Sequence, residues 1–71
     1  MRGTPNRYVA RQLSLMGIPL NVWEVKINDV LCCRAMLHRG ELRITERYTR
    51  LHINMDLVAR ACGLREPARC A

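Results

Sequence analysis

The spacing of apolar side chains changes along the chain, and the changes divide it into predicted elements. Between residues 6 and 17, apolar residues recur at helical spacing behind Asn6, whose side chain can cap a helix. Gly17 and Pro19 are typical of the end of a helix. The pattern therefore predicts a first helix over about residues 6–17.

Residues 20–28 support two interpretations. Trp23, Val25 and Ile27 alternate with polar neighbours, as in a half-buried strand. Apolar spacings of three and four also run through this stretch, and they fit a helix. Because this periodicity continues past residue 28, we predict a second helix over about residues 21–39, with a strand over 20–28 as the alternative.

After Gly40, which fits a left-handed helix cap, the apolar period becomes two. Two short alternating stretches flank a polar, arginine-bearing segment, so the pattern predicts a two-stranded wing over about residues 41–53. Asn54 then caps a last helix over about residues 54–62, which Gly63 ends.

These elements make the predicted fold class α+β, a small winged helix-turn-helix. One long helix from Glu41 to Cys62 is also consistent with the apolar spacing and would give an all-α helical hairpin with its arginines in one stripe. We prefer the wing because Thr45, Tyr48 and Thr49 are better strand residues than helix residues.

The length and charge of the chain narrow its function. Seventy-one residues allow one domain, 1–71, with a small core, and residues 1–5 and 65–71 are predicted to be loose ends. Twelve Lys and Arg against six Asp and Glu give a formal charge of +6 and a pI of about 9.9. This balance is typical of nucleic-acid-binding domains, although an acidic protein or an anionic membrane surface would attract it too.

Several function classes are disfavoured. No apolar run reaches the eighteen residues of a membrane span, and no signal-peptide core follows the N-terminus, so we expect a cytoplasmic protein. No Ser-His-Asp arrangement, carboxylate pair or Gly-rich phosphate loop is present, so we expect neither an enzyme nor a cofactor.

The cysteines do not form a metal-binding motif. No Cys-x-x-Cys pair occurs among Cys32, Cys33, Cys62 and Cys70, so we expect no metal and reduced thiols. The adjacent Cys32 and Cys33 would point in different directions on a helix or strand. Cys33 and Cys62 are predicted to be small core residues.

A family resemblance rests on the arginine-rich middle of the chain. Residues 33–42 end in basic residues, a glycine and the pair Glu-Leu. Residues 47–53 contain a basic tip followed by an alternating apolar and polar stretch. Residues 54–57 begin a capped helix. In this order, residues 33–62 resemble the small phage excisionases and their MerR-like winged-helix relatives.

The resemblance implies a sequence-specific protein that binds duplex DNA, either as an excisionase-like recombination directionality factor or as a transcription regulator. It implies an integrase or recombinase as partner and cooperative self-association on DNA. A recognition helix would read the major groove, and the wing would reach a minor groove. The implied DNA-binding residues are Arg34, His38, Arg39, Arg43, Arg47, Tyr48, Thr49 and Arg50.

Two alternative functions accompany the all-α interpretation. The first is a helical interaction protein, such as a phage-type inhibitor or adaptor that docks on an acidic host protein. The second is an RNA-binding helical hairpin that uses the same arginine stripe. The DNA site and the oligomeric state are open at the level of the sequence.

Overall fold

The computed structural model describes residues 5–64 and shows one antiparallel sheet covered on one face by a short helix. The strands follow one another in the sheet in chain order, each paired with the next. The elements are β1 (Tyr8–Leu15), β2 (Ile18–Ile27), β3 (Val30–His38), β4 (Glu41–Arg47) and α1 (Met55–Ala61).

Three two-residue turns connect the four strands. Each turn has positive φ at both central residues: Met16 and Gly17 at 52° and 80°, Asn28 and Asp29 at 55° and 70°, and Arg39 and Gly40 at 54° and 78°. Positive φ at both positions is the signature of the type I′ turn, whose twist matches that of the strands it joins.

The winged helix-turn-helix prediction is wrong, and so is the all-α alternative. The helices predicted over residues 6–17 and 21–39 are strands β1, β2 and β3. Part of the helical spacing arose from the β2–β3 turn, because a two-residue turn places residues three apart, here Ile27 and Val30, directly opposite each other. Gly17 and Gly40 are therefore turn residues and not helix caps.

The predicted wing over residues 41–53 is also wrong, although its first half is a strand. Strand β4 covers Glu41–Arg47, but it pairs with β3 and not with a strand that follows it. Residues 48–54 form an irregular connection to the helix. The apolar residues that suggested a second strand have different roles in this loop: Ile53 is buried in the core and Leu51 is exposed.

The last helix and its cap are confirmed. The Asn54 side chain accepts hydrogen bonds from the backbone N–H groups of Asp56 and Leu57, at 3.0 and 3.3 Å. The cap is also tied to the sheet, because the Asn54 N–H donates to the Tyr8 hydroxyl oxygen at 3.1 Å. Gly63, with a φ of 79°, follows the C-cap residue Cys62.

The core lies between α1 and one face of the sheet. Its buried members come from β2, β3, the loop and the helix: Val25, Cys33, Ala35, Ile53 and Val58. The cysteine prediction is confirmed for Cys33 and Cys62, which pack here as free thiols.

Cys32 is buried as well, at 5% exposure. A β-bulge explains this, because Val25 pairs with Cys33 while Lys26 pairs with Leu31, which leaves Cys32 as the extra residue. Within residues 5–64, no cluster of His, Cys, Asp and Glu forms a metal site, and no helix is long and apolar enough to cross a membrane.

The predicted loose ends fall almost wholly outside the described residues. Only Pro5 of residues 1–5 is described, and it is exposed. Residues 65–71, which include Cys70, lie beyond the described range.

The turn residues give a matched pair of stability predictions. Asn28 tolerates positive φ, and its side chain accepts from the Arg7 N–H at 2.9 Å, so Asn28→Ala should cost about 1–2 kcal/mol. Met16 occupies the equivalent position of the first turn, where Asn is preferred, so Met16→Asn should gain about 0.5–1 kcal/mol. Urea unfolding in dilute solution measures both, and changes of the same sign would contradict the turn assignment.

The core thiols should be unreactive in the native protein. Burial raises the pKa of the Cys62 thiol to about 11, and burial also raises the pKa of Cys33. Because the thiolate is the nucleophile, Cys62 should resist alkylation at pH 8 until the protein is unfolded in urea. Since a raised pKa favours the folded state only while the unfolded thiol is protonated, this contribution to stability is lost as the pH rises from 9 towards 11. Peptide mapping after timed alkylation tests it, and rapid native labelling of Cys62 would contradict the burial.

Candidate nucleic-acid interface

A row of alternating charges crosses the sheet on the face opposite the helix. The strand register places Arg11, Glu24, Arg34 and Glu46 side by side on β1 to β4. The nitrogen–oxygen distances along the row are 3.4, 3.3 and 3.8 Å. We call these four residues the charge ladder. Opposite charges on neighbouring strands stabilise a sheet, and each cation here has a carboxylate beside it.

The ladder is a local neutral unit. Hydrogen bonds from Arg11 and then Arg34 lower the pKa of the Glu24 carboxyl group, which keeps it ionised at neutral pH. A lowered pKa contributes stability above the usual carboxyl range, and this contribution is lost as the pH falls through the folded value. Glu46 also accepts a hydrogen bond from the Tyr48 hydroxyl, and this bond raises the pKa of Tyr48.

Arg34 is therefore poorly placed to read DNA. Its guanidinium lies between Glu24 and Glu46, and its Nε atom is buried without a hydrogen-bond partner among residues 5–64. Contact with a guanine would require breaking two ion pairs. The recognition helix that was to present Arg34 is strand β3.

The remaining predicted DNA-binding residues fall into two groups at opposite ends of the sheet. The first group lies around the β3–β4 turn and consists of His38, Arg39 and Arg43. The second group lies at the end of β4 and just after it and consists of Arg47, Tyr48, Thr49 and Arg50. Along β4, Arg43 and Arg47 are four residues apart, about 13 Å, while the turn residue Arg39 lies farther away.

At the β3–β4 turn, the charges partly cancel. Arg43 forms an ion pair with Glu41 at 3.0 Å, and both side chains are 65% exposed, so the pair contributes little to stability. His38 pairs with Glu41 in the strand register. Arg39 is exposed in the turn and forms no ion pair with another described residue.

The opposite end of the sheet collects cations. We call it the loop end, and it comprises residues 6–8, which lead into β1, the β2–β3 turn at residues 28–29, and residues 47–53. Its basic side chains are exposed and form no ion pairs with residues of the described range; they are Arg7, Arg47, Arg50 and His52. Asp29, in the β2–β3 turn, is the one acidic residue among the described residues of this end.

Hydrogen bonds fix the shape of the loop that carries Arg47 and Arg50. The Arg47 guanidinium donates to the Leu51 carbonyl at 2.8 Å, and the Leu51 N–H donates to the Thr49 hydroxyl oxygen at 3.1 Å. The Tyr48 N–H donates to the Cys32 carbonyl at 2.8 Å, which ties the loop to β3. Arg47 keeps its positive charge, because its partner is a neutral carbonyl.

The loop lies close to the start of the chain. Thr49, Leu51 and His52 share a hollow of about 270 Å³ with Asn6 and Asn28. Asn28 in turn holds the first residues in place, since its N–H donates to the Arg7 carbonyl at 2.9 Å and its amide donates to the Asn6 side chain at 3.0 Å. Cations far apart in sequence thus lie on one end of the molecule.

Sequence reasoning missed Arg7 and His52 as members of this group. Arg7 looked like part of a helix, and His52 looked like an isolated surface residue. No local pattern connects positions 7 and 52; the three successive hairpins bring them to the same end of the sheet.

Comparison with protein-family models, with curated proteins and with solved structures finds no match. The resemblance to the excisionases stays a prediction from sequence, and its winged-helix component is wrong for this fold. The candidate interface therefore rests on the geometry and charge of this chain alone.

Proposed function

We propose that this protein binds nucleic acid, with duplex DNA as the first candidate, through phosphate contacts made by the cations of the loop end. One observation carries the proposal. The sheet and its turns carry four glutamates and aspartates, and three of them form ion pairs with arginines of the charge ladder or with Arg43: Glu24, Glu41 and Glu46. The loop-end cations, in contrast, face solvent.

The chemistry of these side chains suits phosphate. The planar guanidinium donates two parallel hydrogen bonds to phosphate oxygens, and eleven of the twelve basic residues in the chain are arginine. Hydroxyl and amide groups also contact phosphates in protein–DNA complexes, and Thr49 and Asn6 supply them beside Arg50 and Arg7. Contacts of this kind position a protein on a duplex and carry little sequence information.

The mode of binding differs from the one implied by the winged-helix resemblance. Helix α1 has seven residues and is packed on the sheet, with Val58 and Ala59 buried, so it is not a groove-reading helix. Backbone contact by a rigid loop end is the binding mode that we propose instead. A recombination or transcription role would need sequence selectivity in addition.

The salt dependence of binding tests the proposal. Fluorescence anisotropy with a labelled duplex should show affinity that falls steeply between about 50 and 200 mM salt, with a slope near −0.9 for each phosphate contacted. Matched duplex RNA and single-stranded DNA identify the preferred nucleic acid, because A-form grooves present phosphates with a different spacing. Binding no tighter than that of a scrambled peptide of equal charge would overturn the proposal.

A further inference from the structure

The hairpin formed by β1 and β2 extends beyond the rest of the sheet. The pairing of β2 with β3 ends at Val22 opposite Met36, so residues 13–21 pair only within their own hairpin. We call residues 13–21 the hairpin arm. No charged residue occurs from Gln12 to Trp23, although a quarter of the whole chain is charged.

The end of the arm is apolar and exposed. Leu15, Met16 and Ile18 are 62%, 91% and 65% exposed, and they are consecutive around the first turn except for Gly17. A contiguous apolar patch on a small protein usually marks a contact surface. Because the arm has no cation, it is poorly suited to phosphate or to an anionic lipid surface.

Met16 is unfavourable for the isolated fold in two ways. Its φ of 52° is a region that Asn or Gly adopts more easily, and its side chain is almost wholly in water. Asn stands at the equivalent position of the β2–β3 turn. Arg39 adopts the same conformation in the β3–β4 turn, so it is the exposure of a large apolar side chain at Met16, and not the turn strain alone, that points to a contact outside the monomer.

The same chain carries an apolar cleft that this arm can fill. The cleft has a volume of about 510 Å³ and lies between the β3–β4 hairpin and the helix. Its apolar lining comes from Leu37, Leu42, Met55, Ala59 and Leu64. It exists because α1, at about 10 Å, is too short to cover a strand pair that extends about 20–30 Å.

The arm and the cleft lie at the same end of the sheet. The β1–β2 and β3–β4 turns are both at this end because successive antiparallel strands reverse direction. Two copies that face each other through this end can therefore exchange arms about a two-fold axis, each filling the other's cleft. A self-complementary contact of this type closes at two subunits.

Charge supports a second copy as the occupant. The strongly cationic loop ends are at the opposite end of the sheet, so the two copies keep their greatest positive charge apart. The arm itself carries no ionic group, and the charged residues on the lining of the cleft are Glu41 and Asp56. Unbranched Met is also well suited to filling an irregular apolar space.

We propose that the protein forms a two-fold dimer in which Leu15, Met16 and Ile18 of each copy insert into the cleft of the other. The proposal is independent of nucleic-acid binding, since the contacts lie at the end of the sheet away from the loop end. Light scattering with size-exclusion chromatography, from about 1 μM to 0.1 mM protein, should show a concentration-dependent dimer.

Three variants locate the contact. Met16→Asn should weaken dimerisation roughly tenfold or more while raising monomer stability, which separates lost contact from misfolding. Leu64→Gln, on the cleft side, should weaken it similarly. Leu51→Asn is the matched control, because Leu51 is 73% exposed at the loop end and should leave the dimer unchanged.

Mixing the two disruptive variants gives a further check. The Met16→Asn chain keeps an intact cleft and the Leu64→Gln chain keeps an intact arm, so an equimolar mixture should recover part of the lost dimer as a heterodimer. A monomeric wild-type protein at all concentrations would overturn the proposal. So would an unaltered Leu64→Gln dimer, which would indicate contact between the two arms instead.

Discussion

Replacing Val58 with alanine should cost about 2–3 kcal/mol, and replacing it with aspartate should unfold the protein. Val58 is fully buried at the centre of α1, against the core residues Val25, Cys33 and Ala35. Removing its two methyl groups loses both transfer free energy and packing contacts. A chain of 71 residues is expected to have a free energy of unfolding of roughly 4–10 kcal/mol, so the loss for alanine is large. Burying the unpaired carboxylate of aspartate costs more than this total.

The sign of the alanine effect is informative. Alanine has a higher helix propensity than valine, so a helix held by local propensity would become more stable. We expect destabilisation, because a seven-residue helix depends on tertiary packing. Leu57→Ala is the control: Leu57 is half-buried and is not among the residues packed on the core cluster, so it should cost less than Val58→Ala. Urea unfolding followed by circular dichroism measures both, and a stabilised Val58→Ala protein would contradict the proposed role of packing.

The second large effect concerns binding. Replacing Arg7 and Arg50 together with glutamine should lower affinity for duplex DNA roughly 10–100-fold at about 100 mM salt and reduce the salt slope by about two. Both residues are exposed, and neither guanidinium group forms a hydrogen bond or an ion pair with another residue of the 5–64 segment; the Arg7 hydrogen bonds to Asn28 use backbone atoms of Arg7, which the substitution keeps. Loss of affinity would therefore report lost phosphate contacts and not a disrupted fold.

A variant of equal net charge provides the control. Arg11→Gln with Arg43→Gln removes the same two charges, but from residues paired with Glu24 and Glu41. These sites lie about 10 Å or more along the strands from the loop end, where salt at about 0.1 M screens much of their interaction with phosphate, so the affinity should change by roughly threefold or less. Equal losses for the two double variants would show that binding follows net charge and not the loop end.

Local chemistry explains what the sequence predicted correctly. The last helix was recognisable because its signals are adjacent: Asn54 as cap, Asp56 in the first turn and Gly63 after the end. The strand character of Glu41–Arg47 was also visible in the alternation of Leu42 and Ile44.

The first half of the chain was predicted wrongly as helices because strand pairing depends on residues that are distant in sequence. Two-residue turns and β-bulges bring apolar residues together at spacings of three and four, which imitate a helix. The turn signals were weak as well, because Met16-Gly17 and Arg39-Gly40 lack the Asn-Gly sequence typical of type I′ turns. Only Asn28-Asp29 has residues suited to such a turn, and the helix predicted over residues 21–39 ran across it.

The candidate site was predicted in part for the same reason. Arg47, Tyr48, Thr49 and Arg50 are neighbours in sequence, so their proximity required no knowledge of the fold. The neutralisation of Arg34 by Glu24 and Glu46 depends on strand register across residues 24–46. The approach of Arg7 to the loop depends on three hairpins in succession, which no local pattern specifies.

Mapping the bound surface by NMR tests the central claim most directly. The backbone amides of the uniformly labelled protein are followed during titration with a duplex of about 12 base pairs, slightly more than one helical turn. We predict that the largest shift changes occur at residues 6–7, 28–29 and 47–52, with small changes on the charge ladder and the hairpin arm. Largest changes at Arg11, Glu24 and Arg34, or at residues 13–21, would contradict the assignment of the loop end as the nucleic-acid interface.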